Sequence, residues 1–195
     1  MSYGAVRRAA AALLLAGATV GFGRHVTPPV ILMSDQEALR VTLAGMKRYF
    51  VRETRLSPAE RAVLRKQWGW KADESFYRFF LGRNEDTSLV AAAVFLTDQT
   101  FHGPVRVVVG LNGDGAVRAT RVVELSEESF TWMKPVLDQG LEQQYVGYTS
   151  DSSFALGGRF KQLPTMARFY AELVGRMTRR GAALYRLKFL EQTGS

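Results

Sequence analysis

The side chains here that could do chemistry are few and far apart. The two histidines are His25, near the N-terminus, and His102, which precedes Gly103-Pro104 at the start of an expected strand. A zinc site needs several clustered nitrogen or sulfur ligands, and a single histidine in the folded part cannot supply them. A Ser-His-Asp arrangement would need His102 as base, and no G-x-S-x-G turn presents a serine to it. Glu127-Glu128 is a carboxylate pair, although adjacent carboxylates are usually solvated. Gly110-Leu111-Asn112-Gly113-Asp114-Gly115 is rich in glycine but lies between two expected strands. A phosphate cradle needs such a loop before a helix. No catalytic set and no metal site is expected.

The composition narrows the class further. The chain has 195 residues, 47% of them apolar and 23% charged, which suits one globular domain with a real core. It has no cysteine, so disulfides, cysteine-ligated zinc, iron–sulfur clusters and covalent c-type haem are excluded. The net charge is +8, spread along the chain and densest from Arg168 to Lys188. No basic block with interleaved aromatics marks a nucleic-acid groove, so no nucleic-acid partner is expected.

The N-terminus has the order of an export signal. Arg7-Arg8 precede the apolar run Ala9–Val20, which is shorter than the roughly 20 residues a spanning helix needs. Ala16-Gly17-Ala18 offers small residues for cleavage. An uncleaved anchor, extended through Gly23 to Arg24, is the alternative. Thr27-Pro28-Pro29 reads as a stiff linker. Residues 1–29 are therefore expected to be a signal peptide or anchor with its linker, and 30–190 a single domain outside the cytoplasm, periplasmic or tethered to the inner membrane.

Within that domain the patterns alternate. Ser34-Asp35-Gln36-Glu37 and Ser57-Pro58-Ala59-Glu60 have capping-box spacing, the second with proline at the first helical position. Strand chemistry covers Tyr49–Arg55, Phe76–Arg83, Ser88–Thr97, Val105–Leu111 and Ala116–Leu125. Asn84-Glu85-Asp86 and Asn112-Gly113-Asp114-Gly115 are turns. Ser126 onward predicts a short helix or lid, Gln143–Leu156 a polar loop, and Pro164 onward an amphipathic C-terminal helix. The expected fold is α+β: a central antiparallel sheet with flanking helices.

This order of segments, with the stretch Val107–Val117 around Gly113-Asp114-Gly115, resembles bacterial FMN-binding-domain proteins. These are the exported group similar to flavin-carrying subunits of ion-pumping electron-transport complexes. The resemblance runs from about Leu32 to Tyr185. It implies FMN as cofactor, and redox proteins or a membrane electron-transport complex as partners. In that family the flavin phosphate is esterified to the threonine of a Gly-Ala-Thr motif before the last helix. The matching threonine is Thr165, but Leu163 and Pro164 stand where the family has glycine and alanine. Glu128 matches the family's glutamate after the hairpin. Physically, a helix N-terminus attracts phosphate, and Lys161 and Arg168 flank this one with positive charge. The expected function is electron transfer between membrane or periplasmic redox partners. The alternative is a flavin-free docking or assembly subunit of a membrane redox complex, motivated by the altered motif.

The leader makes its own prediction. Residues 1–33 fused to a reporter active only outside the cytoplasm should give signal. A well-expressed but silent fusion would refute export.

Overall fold

The computed structural model describes residues 28–46, 48–84 and 88–191. The expected signal segment, Lys47 and most of the turn expected at 84–86 lie outside the described residues.

The strands are β1 (Pro29–Ile31), β2 (Arg48–Thr54), β3 (Tyr77–Arg83), β4 (Leu89–Thr100), β5 (Gly103–Asn112) and β6 (Val117–Ser126). They form one six-stranded antiparallel sheet in the order β1-β6-β5-β4-β3-β2. From β2 to β6 each strand pairs with its successor: short turns join β4 to β5 and β5 to β6, and a longer connection containing the helix Pro58–Trp68 joins β2 to β3. β1 joins the far edge, with Pro29 opposite Ser126. The stretch read as linker thus ends inside the sheet. Proline is tolerated there because an edge strand can spare a donor.

The helix α1 (Asp35–Thr42) carries the chain from one edge of the sheet to the other, across the face of β6, β5 and β4. Ser34 caps it by accepting the Glu37 N–H. Asp35 pins it by a bidentate pair with Arg106 at 2.6 and 2.8 Å. That guanidinium holds the Asp35 carboxyl below its ordinary value, against a smaller opposing effect of burial. Ala38, Leu39 and Leu43 close a small core with Ala91, Ala93, Val108 and Val123.

The opposite face carries the main core. Alternation along β5 sends Val105, Val107, Val109 and Leu111 to it. Three helices cover this face: α2 (Pro58–Trp68), α3 (Glu127–Asp138) and α4 (Thr165–Tyr185). α2 has the full capping box at Ser57 and Glu60, and ends on Gly69 in left-handed conformation. A 3₁₀ turn, Leu141–Tyr145, and a second, Gly158–Gln162, flank the irregular segment 146–157, so the loop expected over Gln143–Leu156 begins inside the first turn. A π turn over Arg186–Leu190 follows α4. Among the described residues no helix is long and apolar enough to cross a membrane.

α4 lies unusually close to the sheet. A Cβ at Gly181 would meet Val109 Cβ at 2.9 Å, and one at Gly175 would meet the Tyr145 hydroxyl at 2.9 Å. Gly181→Ala should therefore destabilise by about 1–3 kcal/mol through overpacking. This outweighs the gain in helix propensity of about 1 kcal/mol. Gly157→Ala, where nothing lies within 4 Å, should be near neutral. Urea unfolding of the two variants decides whether close packing or propensity dominates.

Candidate functional site: a cationic groove along the last helix

The sequence from Gly158 to Arg168 turns sharply into α4. Leu163 and Pro164 are both extended, Leu163 because the residue before a proline is biased to that geometry. Pro164 is the N-cap, and no side chain caps the helix. The first intrahelical bond runs from the Arg168 N–H to Pro164 C=O at 2.8 Å. The amides of Thr165, Met166 and Ala167 precede that bond, so they have no carbonyl within the helix. The Arg168 side chain folds back and donates to Lys161 C=O at 2.8 Å. Thr165, Lys161 and Arg168 are all exposed.

Beside this turn runs an open groove of about 780 Å³. One wall is α4, which presents Arg168, Glu172, Arg176 and Arg179 at intervals of four, four and three, on one helical face. The other wall is 151–156, with Phe160 and Lys161 closing the end. Phe154 stacks on Tyr145 at 5.6 Å between ring centres and meets Tyr148 edge-on. Arg179 is partly committed, donating to Ser150 C=O. The acid Asp151 pairs with Arg186. Four cations against two carboxylates leave the groove net positive.

The structure thus brings Lys161 and Arg168 together on one groove. Thr165 sits next to them in sequence but does not line it. Glu128 lies elsewhere: its carboxylate is 3.0 Å from His102 Nδ1. His102 stands at the turn between β4 and β5, and its ring meets Trp132 edge-on at 4.9 Å. Trp132 stacks on Tyr170 of α4 at 5.9 Å. Beneath them runs a buried chain of hydroxyls. Ser126 donates to Ser129 at 2.8 Å, and Ser129 donates to Tyr170 at 2.7 Å. No contact joins Glu128 to the Lys161–Arg168 pair.

A second hollow of about 620 Å³ lies between 69–78 and the β4 residues 95–98. Arg180 spans it, paired with Asp98 at 2.6 Å and lying over Trp70. Trp70, Tyr77 and Phe79 are core residues, and burial pushes the Tyr77 hydroxyl up to about 12. Glu142 is the most sheltered carboxylate near the sheet. Burial raises it, while the Val122 N–H and Arg121 oppose that shift. No cluster of three or more metal-ligating side chains occurs among the described residues.

Sequence reasoning missed Arg176, Arg179, Phe154 and the His102–Glu128 pair. The arginines were legible as a stripe at helical spacing. The pair was not, because its partners are brought together only by the packing of α3 against the β4–β5 turn.

The hydroxyl chain yields a prediction. Ser129→Ala should cost about 1–2 kcal/mol, because it leaves the buried Tyr170 hydroxyl with a long 3.4 Å contact to Thr100 in place of its 2.7 Å bond from Ser129. Adding Tyr170→Phe removes that weakly satisfied group, so the double variant should lose less than the two singles summed. Additivity in urea unfolding would show that the two hydroxyls act independently. No family model, no curated protein and no solved structure matches the chain, so only its own side chains speak to what it does.

Proposed function

We propose that this domain is an exported FMN-binding-like electron-transfer protein, passing electrons between membrane or periplasmic redox partners. The observation that carries the reading is the groove that joins Lys161 and Arg168 to an aromatic wall at Phe154. A flavin mononucleotide site needs positive charge for the phosphate and apolar surface for the ring. Lys161 and Arg168 would hold the phosphate, beside an α4 N-terminus whose first amides lack partners within the helix. Arg176 and Arg179 extend the positive wall. The flavin would supply the redox chemistry, which no side chain of this cysteine-free chain offers.

The residues fit held flavin better than attached flavin. Thr165 keeps the hydroxyl that the resemblance requires, but it stands outside the groove lining, behind Leu163-Pro164. That observation favours one second reading, a flavin-free docking or assembly subunit of a membrane redox complex. Leu163 packs against the main core, so its position serves the fold whether or not flavin is bound.

Titration of the purified protein with FMN, followed by flavin fluorescence quenching, separates the two. Saturable binding is expected, with Lys161→Ala and Arg168→Ala each weakening it about tenfold, the worth of one charge-assisted hydrogen bond. Intact mass after denaturation should show little covalent adduct on Thr165. A colourless protein that takes up no FMN, yet co-purifies with redox subunits from native membranes, would replace the first reading by the second.

A further inference from the structure

From the position and exposure of Phe101 we infer that the tip of the β4–β5 turn dips into the surface of a lipid bilayer. The inference rests on the exported, membrane-tethered reading of the N-terminus. Phe101 is fully exposed, at 103% of its reference area. A turn of this kind ordinarily carries glycine, asparagine or aspartate, for which water is a good solvent. A phenylalanine held out here gains nothing from the fold.

Its neighbours extend the apolar surface. His102 meets Trp132, Trp132 stacks on Tyr170, and Phe169, itself 38% exposed, meets Tyr170 edge-on. Trp132, Tyr170 and Phe169 thus form one aromatic run at the end of the sheet from which Phe101 projects. Rings with a wet edge and an apolar body suit the boundary between headgroups and acyl chains.

The described chain begins at this same end. Pro28 C=O accepts the Glu127 N–H at 3.0 Å, and Pro29 pairs with Ser126. Ser126 lies against Gly103, where an added Cβ would come within 3.2 Å of it. Gly103 is two residues from Phe101. If the run Ala9–Gly23 is held in a membrane, only Arg24 to Thr27 separate it from Pro28. The five steps from Gly23 to Pro28 reach at most about 18 Å at roughly 3.6 Å each. An anchor so short would hold the Phe101 end nearest the bilayer.

The carboxylates nearest the tip mean that attraction to anionic headgroups does not drive insertion there. Glu127 is exposed and Glu128 is paired with His102, so this tip is not a basic patch that binds anionic headgroups. Insertion should therefore persist at high salt.

The chain has no cysteine, so Phe101→Cys gives a single attachment point for an environment-sensitive nitrobenzoxadiazole label. Phe101 supports no packing, and the substitution should leave the fold intact. Asp114→Cys, in the turn at the opposite end of β5, is the control. The full-length chain is reconstituted into phosphatidylcholine–phosphatidylglycerol vesicles containing lipids spin-labelled on the acyl chain. The expected result is blue-shifted emission and lipid quenching at position 101, unchanged in high salt, with neither effect at 114. Sedimentation of the protein with the vesicles while the label at 101 stays water-like would overturn the inference and leave the anchor standing. That outcome would also point to a protein partner for Phe101. Failure to sediment with the vesicles at all would overturn both.

Discussion

The position of every candidate binding group depends on how closely α4 lies on the sheet. Gly181 brings the helix backbone against Val109, and Gly175 leaves room for the Tyr145 hydroxyl. Larger residues at either place would lift the helix from the core. Polar ties fix it at both ends: Tyr170 to Ser129 near the start, and the Tyr185 hydroxyl to Gly113 C=O near the finish. Between them, Thr178 lies 3.3 Å from Thr120. A helix held at two ends and pressed on the sheet between them has little freedom to slide. Its outer face, with Arg168, Arg176 and Arg179, is then a fixed wall against which the 151–156 segment completes a groove.

The two faces of the sheet are treated unequally. Three helices cover one, and the eight-residue α1 covers part of the other. Beyond α1 the rings of Tyr49, Phe80 and Phe95 form an edge-to-face row, with Arg106 lying over Phe95. Tyr49, Phe50 and Val51 of the edge strand β2 are each more than half exposed. An exposed apolar edge invites pairing with other chains. Here Arg48, Arg52 and Glu53 interrupt it, with Glu53 paired to Arg78 at 2.7 Å. The other edge is β1, only three residues long, and a short edge offers little template.

Legibility followed the range of the interactions. Both N-caps, the hairpin after β5 and the amphipathic α4 are set by neighbours in sequence, and they could be read directly. The hairpin shows the limit of such reading. Asn-Gly and Asp-Gly pairs both tolerate positive φ, yet of the two glycines only Gly115 adopts it, at 86°. Gly113 is needed because a Cβ would fall 2.8 Å from Leu89 C=O, a close approach that no local pattern announces. β1 was missed because Pro28-Pro29 has the composition of a linker, and only its partner Ser126, far along the chain, makes it a strand. Glu128 was singled out for a cofactor, while its carboxylate is engaged by His102, 26 positions earlier.

Leu163 and Pro164, which stand where the resembled family has glycine and alanine, have a structural consequence of their own. Proline fixes its own φ and forces its predecessor to be extended, and Leu163 adds an apolar contact with the core. Together they hold the turn in a single shape, in which the Arg168 side chain reaches back to Lys161 C=O. Glycine at 163 would free the backbone and remove the contact, loosening the register between Lys161 and Arg168. Leu163 and Pro164, which depart from the Gly-Ala-Thr motif of the family the chain resembles, are therefore the residues that help hold Arg168 and Lys161 on one groove. Holding a phosphate and being esterified by it are separable demands on this segment. Under the proposed reading, the geometry of this turn would serve the first rather than the second.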